Sequence, residues 1–173
     1  RVDTVVRALK VFAQRDEAEE QVCELHEGLQ SALTLLAPKL SSKVEVVRVF
    51  EADRKVPCRP SAINQVFMSV LDNAASAMPD AGSLTVKTWT AHEHFVVRFS
   101  DTGPGISPER LQTIFSPRLG SDDGRAKMGM GLSPARSIVT KHGGDIEITS
   151  QVGEGTQVLI RLPAAPEDEA DLT

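Results

Sequence analysis

The sequence predicts an α/β two-layer sandwich, a mixed and mainly antiparallel sheet with helices on one face, and three observations carry that expectation. Residues 61–78 place Ile63, Val66, Phe67, Val70, Leu71, Ala74, Ala75 and Met78 at helical spacing, a stripe broad enough for a buried central helix. Two pairs of short strand-like segments, 83–90 with 94–100 and 145–150 with 156–162, are each joined by a short turn and read as hairpins. The 173 residues, 40% hydrophobic and 25% charged, suffice for one well-buried domain with an appendage but not for two.

Charge and cysteine usage exclude several classes. The net charge of −5, with Lys and Arg dispersed, supplies no basic field, so no nucleic-acid partner is expected. Cys23 and Cys58 form neither a CxxC pair nor a metal-ligand spacing, which suits free thiols in a reducing compartment. No apolar run approaches membrane-spanning length and no signal peptide is present, so a cytoplasmic location is expected, with an anchor elsewhere in a parent protein left open. The start at Arg1, without a methionine, suggests a fragment.

In chain order, Val2, Val5, Val6, Leu9 and Phe12 give residues 1–14 the pattern of one amphipathic helix, and the charged stretch 15–20 that of a linker. A stripe separated from the domain must be buried elsewhere, which points to the end of a helical dimerisation element; a helix folded back on the domain is the alternative. Leu25, Leu29, Ala32, Leu33, Leu36 and Leu40 make a second stripe, with Pro38 as its breaker. Residues 44–50 alternate as a strand, and Pro57 and Pro60 bracket a turn before the central helix.

The stretch DTGPGI, 101–106, follows the apolar run 95–99 and reads as a nucleotide floor. Gly103 and Gly105 remove side chains that would hold a ligand off the backbone, and Asp101 is fixed at the strand end as an acceptor for the exocyclic amine of adenine. The same pattern also serves as an ordinary loop after a strand. Ser107 and Pro108 start a helix with Leu111, Ile114 and Phe115 apolar. Residues 116–128 hold Arg118, Arg125 and Lys127 among glycines and aspartates, the composition of a mobile lid. Gly129, Gly131 and Leu132 open the next helix, so unobstructed amides and the positive end of the helix dipole stand ready for phosphates. That helix stops at His142, Gly143 and Gly144, and the acidic, Ala- and Pro-rich residues 164–173 read as a disordered tail.

Four features therefore stand in one order: Asn73 on the central helix, the Asp101 turn, a glycine pair after a basic loop, and Gly153, Gly155 and Thr156. In that order the sequence resembles the catalytic ATP-binding domain of bacterial sensor histidine kinases, in the GHKL superfamily shared with gyrase, a heat-shock chaperone and mismatch-repair ATPases. The resemblance covers residues 21–163. QVFMSVLDNAASAM is similar to the family's asparagine box, DTGPGI to its first glycine box, IFSP to its phenylalanine box and GMGL to its second glycine box, with KHGGDIEITSQVGEGTQVLIRLP completing the match.

The resemblance implies a Bergerat-type ATP-binding fold, ATP and Mg²⁺ as cofactors, and protein-histidine kinase activity. Asn73 is then the catalytic residue and metal ligand, since Mg²⁺ takes hard oxygen and keeps several waters, so one amide oxygen plus the phosphates is enough. Thr156 is similar to the threonine that supports the adenine site beside Asp101, and Ile106 and Met78 are expected to line the base pocket. Arg118, Arg125 or Lys127 is available to close over the triphosphate, or stands as a solvated loop charge. Residues 1–14 are similar to the end of a dimerisation and phosphoacceptor hairpin, which puts the acceptor histidine upstream of Arg1. The implied partners are that hairpin domain, a response-regulator receiver domain, and a second copy in a full-length homodimer.

The sequence departs from the family pattern at four positions. Lys127 stands where a further glycine is usual, Met128 where a small residue is usual, Arg118 where the phenylalanine box has a second aromatic, and Ser69 where the asparagine box has another asparagine. These departures keep a nucleotide-binding pseudokinase open as an alternative. A GHKL-type ATPase is the other, but such an enzyme carries a glutamate at the Ser69 position, and serine is no base at neutral pH without help. His26 followed by Glu27 imitates a phosphoacceptor pair, yet its place on the flank of the second stripe makes it a partly exposed helix histidine. His142 suits a helix end.

Overall fold

The computed structural model describes residues 2–13, 19–116 and 131–167. Its helices are α1 (Val2–Ala13), α2 (Leu25–Leu36), α3 (Pro60–Ala77), α4 (Pro108–Thr113) and α5 (Leu132–Lys141). Its strands are β1 (Gln21–Cys23), β2 (Val44–Phe50), β3 (Val56–Cys58), β4 (Gly82–Ala91), β5 (His94–Asp101), β6 (Asp145–Gln151) and β7 (Gly155–Pro163).

The main sheet has the order β2-β4-β5-β7-β6. Only β2 and β4 run parallel. A parallel pair needs a long crossover, and α3 supplies it, because its apolar stripe is buried only if it lies back across the sheet. On the strands, alternate residues Leu84, Val86, Phe95, Val97, Phe99, Val158, Ile160 and Leu162 are buried and form one core with the apolar faces of α2, α3 and α5. Phe67 of α3 packs tilted on Phe99 with ring centroids 6.1 Å apart. Burying each such side chain stabilises the fold by roughly 1.5–3 kcal/mol, so the α3 stripe helps hold the layers together. The predicted two-layer sandwich is thus the observed one.

Three expectations are corrected. The Pro57–Pro60 turn is instead strand β3, paired antiparallel with β1 with Val22 opposite Pro57. Pro57 is tolerated because this is a separate two-stranded sheet, whose short strands are all edge. Helix α1 is not detached from the domain: it packs on α2 and α3 and buries Ala8, while Val2, Val5, Val6 and Leu9 stay 43–76% exposed. Residues 164–167 are not a free tail. Ala164 and Ala165 donate backbone N–H bonds to Glu93 and Lys55, Ala165 is buried, and Glu167 pairs with Arg54. The rest of the predicted tail, the predicted linker residues 15–18 and the lid from residue 117 lie outside the described residues.

Candidate functional site

Strand register builds the site. Leu84 of β4, Asp101 of β5, Thr156 of β7 and Ser150 of β6 form one cross-strand row, each the register partner of the next. Register partners point to the same side of a sheet, so Asp101, Thr156 and Ser150 share the helix-covered face at one end of it. The chain then turns at residues 102–106, where the Gly103 N–H donates to Asp101 Oδ1 at 2.9 Å. Thr102 secures the turn from beneath: its Oγ1 accepts from the Ser83 N–H at 2.9 Å and its hydroxyl faces Met78 Sδ at 3.8 Å.

The turn is fastened to the β6–β7 hairpin. Gly153 N–H donates to the Pro104 carbonyl at 2.8 Å, and Ile106 N–H to Ser150 Oγ at 2.8 Å. Ser150 Oγ in turn donates to the Gly155 carbonyl at 2.8 Å and lies 2.9 Å from Thr156 Oγ1. Two glycines permit this approach. A Cβ on Gly105, at φ +77°, would stand 2.2 Å from the Gln151 carbonyl oxygen, and one on Gly155, at φ +100°, 2.0 Å from the Asp101 carbonyl oxygen.

Asn73 reaches the same place from the helical layer. It is exposed on α3 and makes no side-chain hydrogen bond among the described residues. Ala77, four residues on and so on the same helix face, is what a Cβ on Gly103 would strike at 2.9 Å. Asn73 is therefore one helical turn from the Asp101 loop. The α5 N-terminus is brought alongside by its other end. His142, the C-cap of α5, holds its Nδ1–H on the Ile138 carbonyl at 2.7 Å and accepts from the Arg59 N–H, at the α3 N-cap, through Nε2 at 3.2 Å.

The packed helices α3 and α5 thus run in opposite senses. At 1.5 Å per residue, α5 spans about 15 Å of the roughly 27 Å of α3, so Gly131 falls near the level of Ser69 to Asn73. Leu132 is buried and anchors that N-terminus, whereas a Cβ on Gly131 would meet nothing within 4 Å. Arg136 of α5 stacks 5.0 Å over the Phe115 ring, tying the segment after α4 to the same helix.

The predicted residues Asp101, Gly103, Gly105, Ile106 and Thr156 therefore form one wall, with Asn73 and Gly131 along the adjoining helices. Met78 does not line an open surface: it is 2% exposed and supports the floor from within the core. Gly129 and Lys127, with Arg118, Arg125 and Met128, lie outside the described residues. Ser150 and the His142–Arg59 contact were missed. Ser150 had a signal, a polar residue in the inward phase of Ile146 and Ile148. His142 had none, because its partner is 83 residues away.

Electrostatics favour a donor-bearing ligand at the wall. Burial holds the Asp101 carboxyl above its ordinary range, opposed by the backbone N–H groups of Gly103 and Thr156. A ligand N–H on that carboxylate compensates the desolvation of its charge. A separate cavity of about 250 Å³ beside β1 is lined by Gln21, Cys23, Glu24, Glu27 and Asn64. Its two carboxylates repel phosphate, and it shares no residue with the wall. His26 is more engaged than expected: it stacks on Phe50 at 4.8 Å, and its Nε2 bonds the buried Thr88 hydroxyl at 2.7 Å.

Comparison with known proteins agrees with this geometry. A family model described as Histidine kinase-, DNA gyrase B-, and HSP90-like ATPase matches residues 58–166. The histidine protein kinase DivJ of Caulobacter vibrioides is 32% identical over 170 residues, 94% of this chain and 28% of its own length. The mycobacterial sensor histidine kinase MprB superposes with a TM-score of 0.74 at 25% identity, covering 86% of this chain and 99% of that one. The histidine kinase ThkA, in complex with response regulator protein TrrA, gives a TM-score of 0.71 at 22% identity over 96% of this chain and 48% of that one. The chain thus spans 28% of the length of DivJ. Among the described residues no helix is long and apolar enough to cross a membrane. With the match enclosing Asn73, the Asp101 turn and Thr156, the chain belongs to the histidine kinase-, DNA gyrase B- and HSP90-like ATPase family, as a catalytic ATP-binding domain of the sensor histidine kinase type.

Proposed function

We propose that this chain is the phosphoryl-donor half of a two-component sensor kinase. In this reading it binds Mg-ATP and presents the γ-phosphate to a histidine on a separate dimerisation hairpin. A response-regulator receiver domain takes the phosphoryl group onward, as the ThkA–TrrA pairing suggests for a relative. The observation that carries the reading is the row of Asp101 and Thr156 at the foot of the DTGPGI turn, with Asn73 one helical turn away.

Each residue has a positional task. Asp101 and Thr156 orient the base, Ile106 and Gly105 let it lie against the backbone, and the N-terminus of α5 at Gly131 holds phosphate. Asn73 fits Mg²⁺ because it is an exposed amide oxygen with no partner among the described residues. The ion, when bound, neutralises charge on the phosphates. Phosphoryl transfer asks the protein mainly for positioning, so a donor domain needs no base of its own. Buried Ser69 offers none, which leaves the ATPase reading without a group to activate water.

The exposed Val2, Val5, Val6 and Leu9 of α1 support its reading as the end of the hairpin that forms a homodimer in the full-length protein. Incubation with Mg-ATP, followed by mass spectrometry under conditions that preserve phosphohistidine, tests the function. The chain alone is expected to bind ATP and carry no phosphoryl group; adding the parent protein's hairpin in trans is expected to phosphorylate a hairpin histidine. A stoichiometric phosphoryl group on His26 contradicts the placement of the acceptor, and no transfer with the hairpin present favours the pseudokinase.

A further inference from the structure

The hydroxyl of Ser150 is fully committed, and the way it is committed dictates what its neighbours can offer a ligand. A serine hydroxyl has one proton to give and two lone pairs to fill. The Gly155 carbonyl at 2.8 Å can only accept, so the Ser150 proton goes there. The Ile106 N–H at 2.8 Å fills one lone pair. Thr156 Oγ1 lies 2.9 Å away, and only the second lone pair remains for it, so Thr156 is the donor in that contact.

The Thr156 proton is thereby occupied, and its hydroxyl presents lone pairs alone to anything else. Its register partner Asp101, when ionised, is also acceptor-only. We propose that Ser150 is a positioning residue that sets the hydrogen-bond polarity of the base site, so that the wall takes a purine presenting an amine and rejects one presenting a carbonyl at the same position. The inference rests on the nucleotide reading above and goes beyond it by assigning base selectivity to a residue that touches the base only through Thr156 and the Ile106 backbone. A 6-aminopurine supplies N–H donors to the two acceptors; a 6-oxopurine sets lone pair against lone pair and leaves both half-buried acceptors unpaired.

Binding of ATP and of inosine triphosphate, which share the triphosphate and differ at the base edge, separates this from a purely structural role. In the presence of Mg²⁺ the unaltered chain is expected to prefer ATP by roughly 100-fold or more. Ser150→Ala releases the Thr156 hydroxyl to donate, so the preference is expected to narrow about tenfold, with inosine triphosphate losing less affinity than ATP. Equal loss for both nucleotides, or no change in either, makes Ser150 a strut only and overturns the proposal. Absence of any ATP preference in the unaltered chain overturns the base-site reading itself, and is distinguished because it needs no variant. If Ser150→Ala does not fold, Ser150→Cys keeps the volume with a weaker-bonding thiol. The same narrowing is expected from it, and an unchanged ratio overturns the proposal equally.

Discussion

Asp101 and Thr156 stand opposite each other across β5 and β7, and the Asp101 carboxyl, which accepts from the Gly103 N–H, is pushed up by burial against the lowering effect of the Gly103 and Thr156 backbone N–H groups. Burial is the larger effect, so the folded carboxyl sits above its ordinary 3.8. A carboxyl raised in this way holds its proton more tightly folded than unfolded. Its favourable contribution is therefore complete below pH 3.8 and is lost as the pH rises through the raised folded value. At neutral pH the ionised group works against the free fold. Asp101→Asn, which keeps an oxygen for the Gly103 N–H, is expected to melt higher than the unaltered chain at pH 7, with the gap shrinking in acid. Thermal unfolding across pH checks this; a variant less stable at pH 7 contradicts it.

Gly105 and Gly155 carry the close approach between the turn and the β6–β7 hairpin. Alanine at either position combines a left-handed backbone with a Cβ placed 2.0–2.2 Å from a carbonyl oxygen. Each substitution is expected to destabilise the domain by about 1–3 kcal/mol, since backbone rather than a flexible side chain must move. Urea unfolding measures the loss, and a midpoint within error of the unaltered chain would mean that the turn is not fastened as described.

Asn73→Ala removes an exposed amide with no partner among the described residues, so stability is expected to change by no more than about 0.5 kcal/mol. Nucleotide affinity is expected to fall chiefly in its Mg²⁺-dependent part, because one oxygen ligand is lost and the base wall is untouched. Titration with and without Mg²⁺ separates the two. Equal losses in both conditions would make Asn73 a structural residue.

The two thiols are predicted to differ in reactivity. The neighbouring Cys58 thiol holds the Cys23 thiol below its ordinary range, while the proximity of Cys23 and burial push Cys58 up. Cys23 is also half-buried where Cys58 has no exposed surface. Alkylation followed by peptide mass mapping is expected to modify Cys23 in the folded chain and Cys58 only after unfolding. Equal rates in the native state contradict the burial of Cys58.

Legibility in the sequence followed the range of the interaction. The α3 stripe and both main hairpins are periodic over many residues, so their pattern predicted them. Strands β1 and β3 are three residues each and one contains Pro57, and nothing local distinguishes such a pair from a turn. The anchoring of Ala165 depends on the Lys55 carbonyl, a partner far away in the chain. In the candidate site, the turn at Asp101 was legible because a turn advertises itself in its own residue types. Met78 is buried by the same apolar stripe that identifies it. Ser150 acts through three partners on two segments, and only its polarity at an inward position hinted at a role.

Calorimetric titration of Mg-ATP into the unaltered chain and into Asp101→Asn tests the central assignment most directly. The account predicts saturable binding to the unaltered chain and a loss of about 1–3 kcal/mol in the variant, because the amide can present an N–H where the base requires an acceptor. Equal affinity in the two proteins, with the variant folded, would remove Asp101 from the base site and contradict the account.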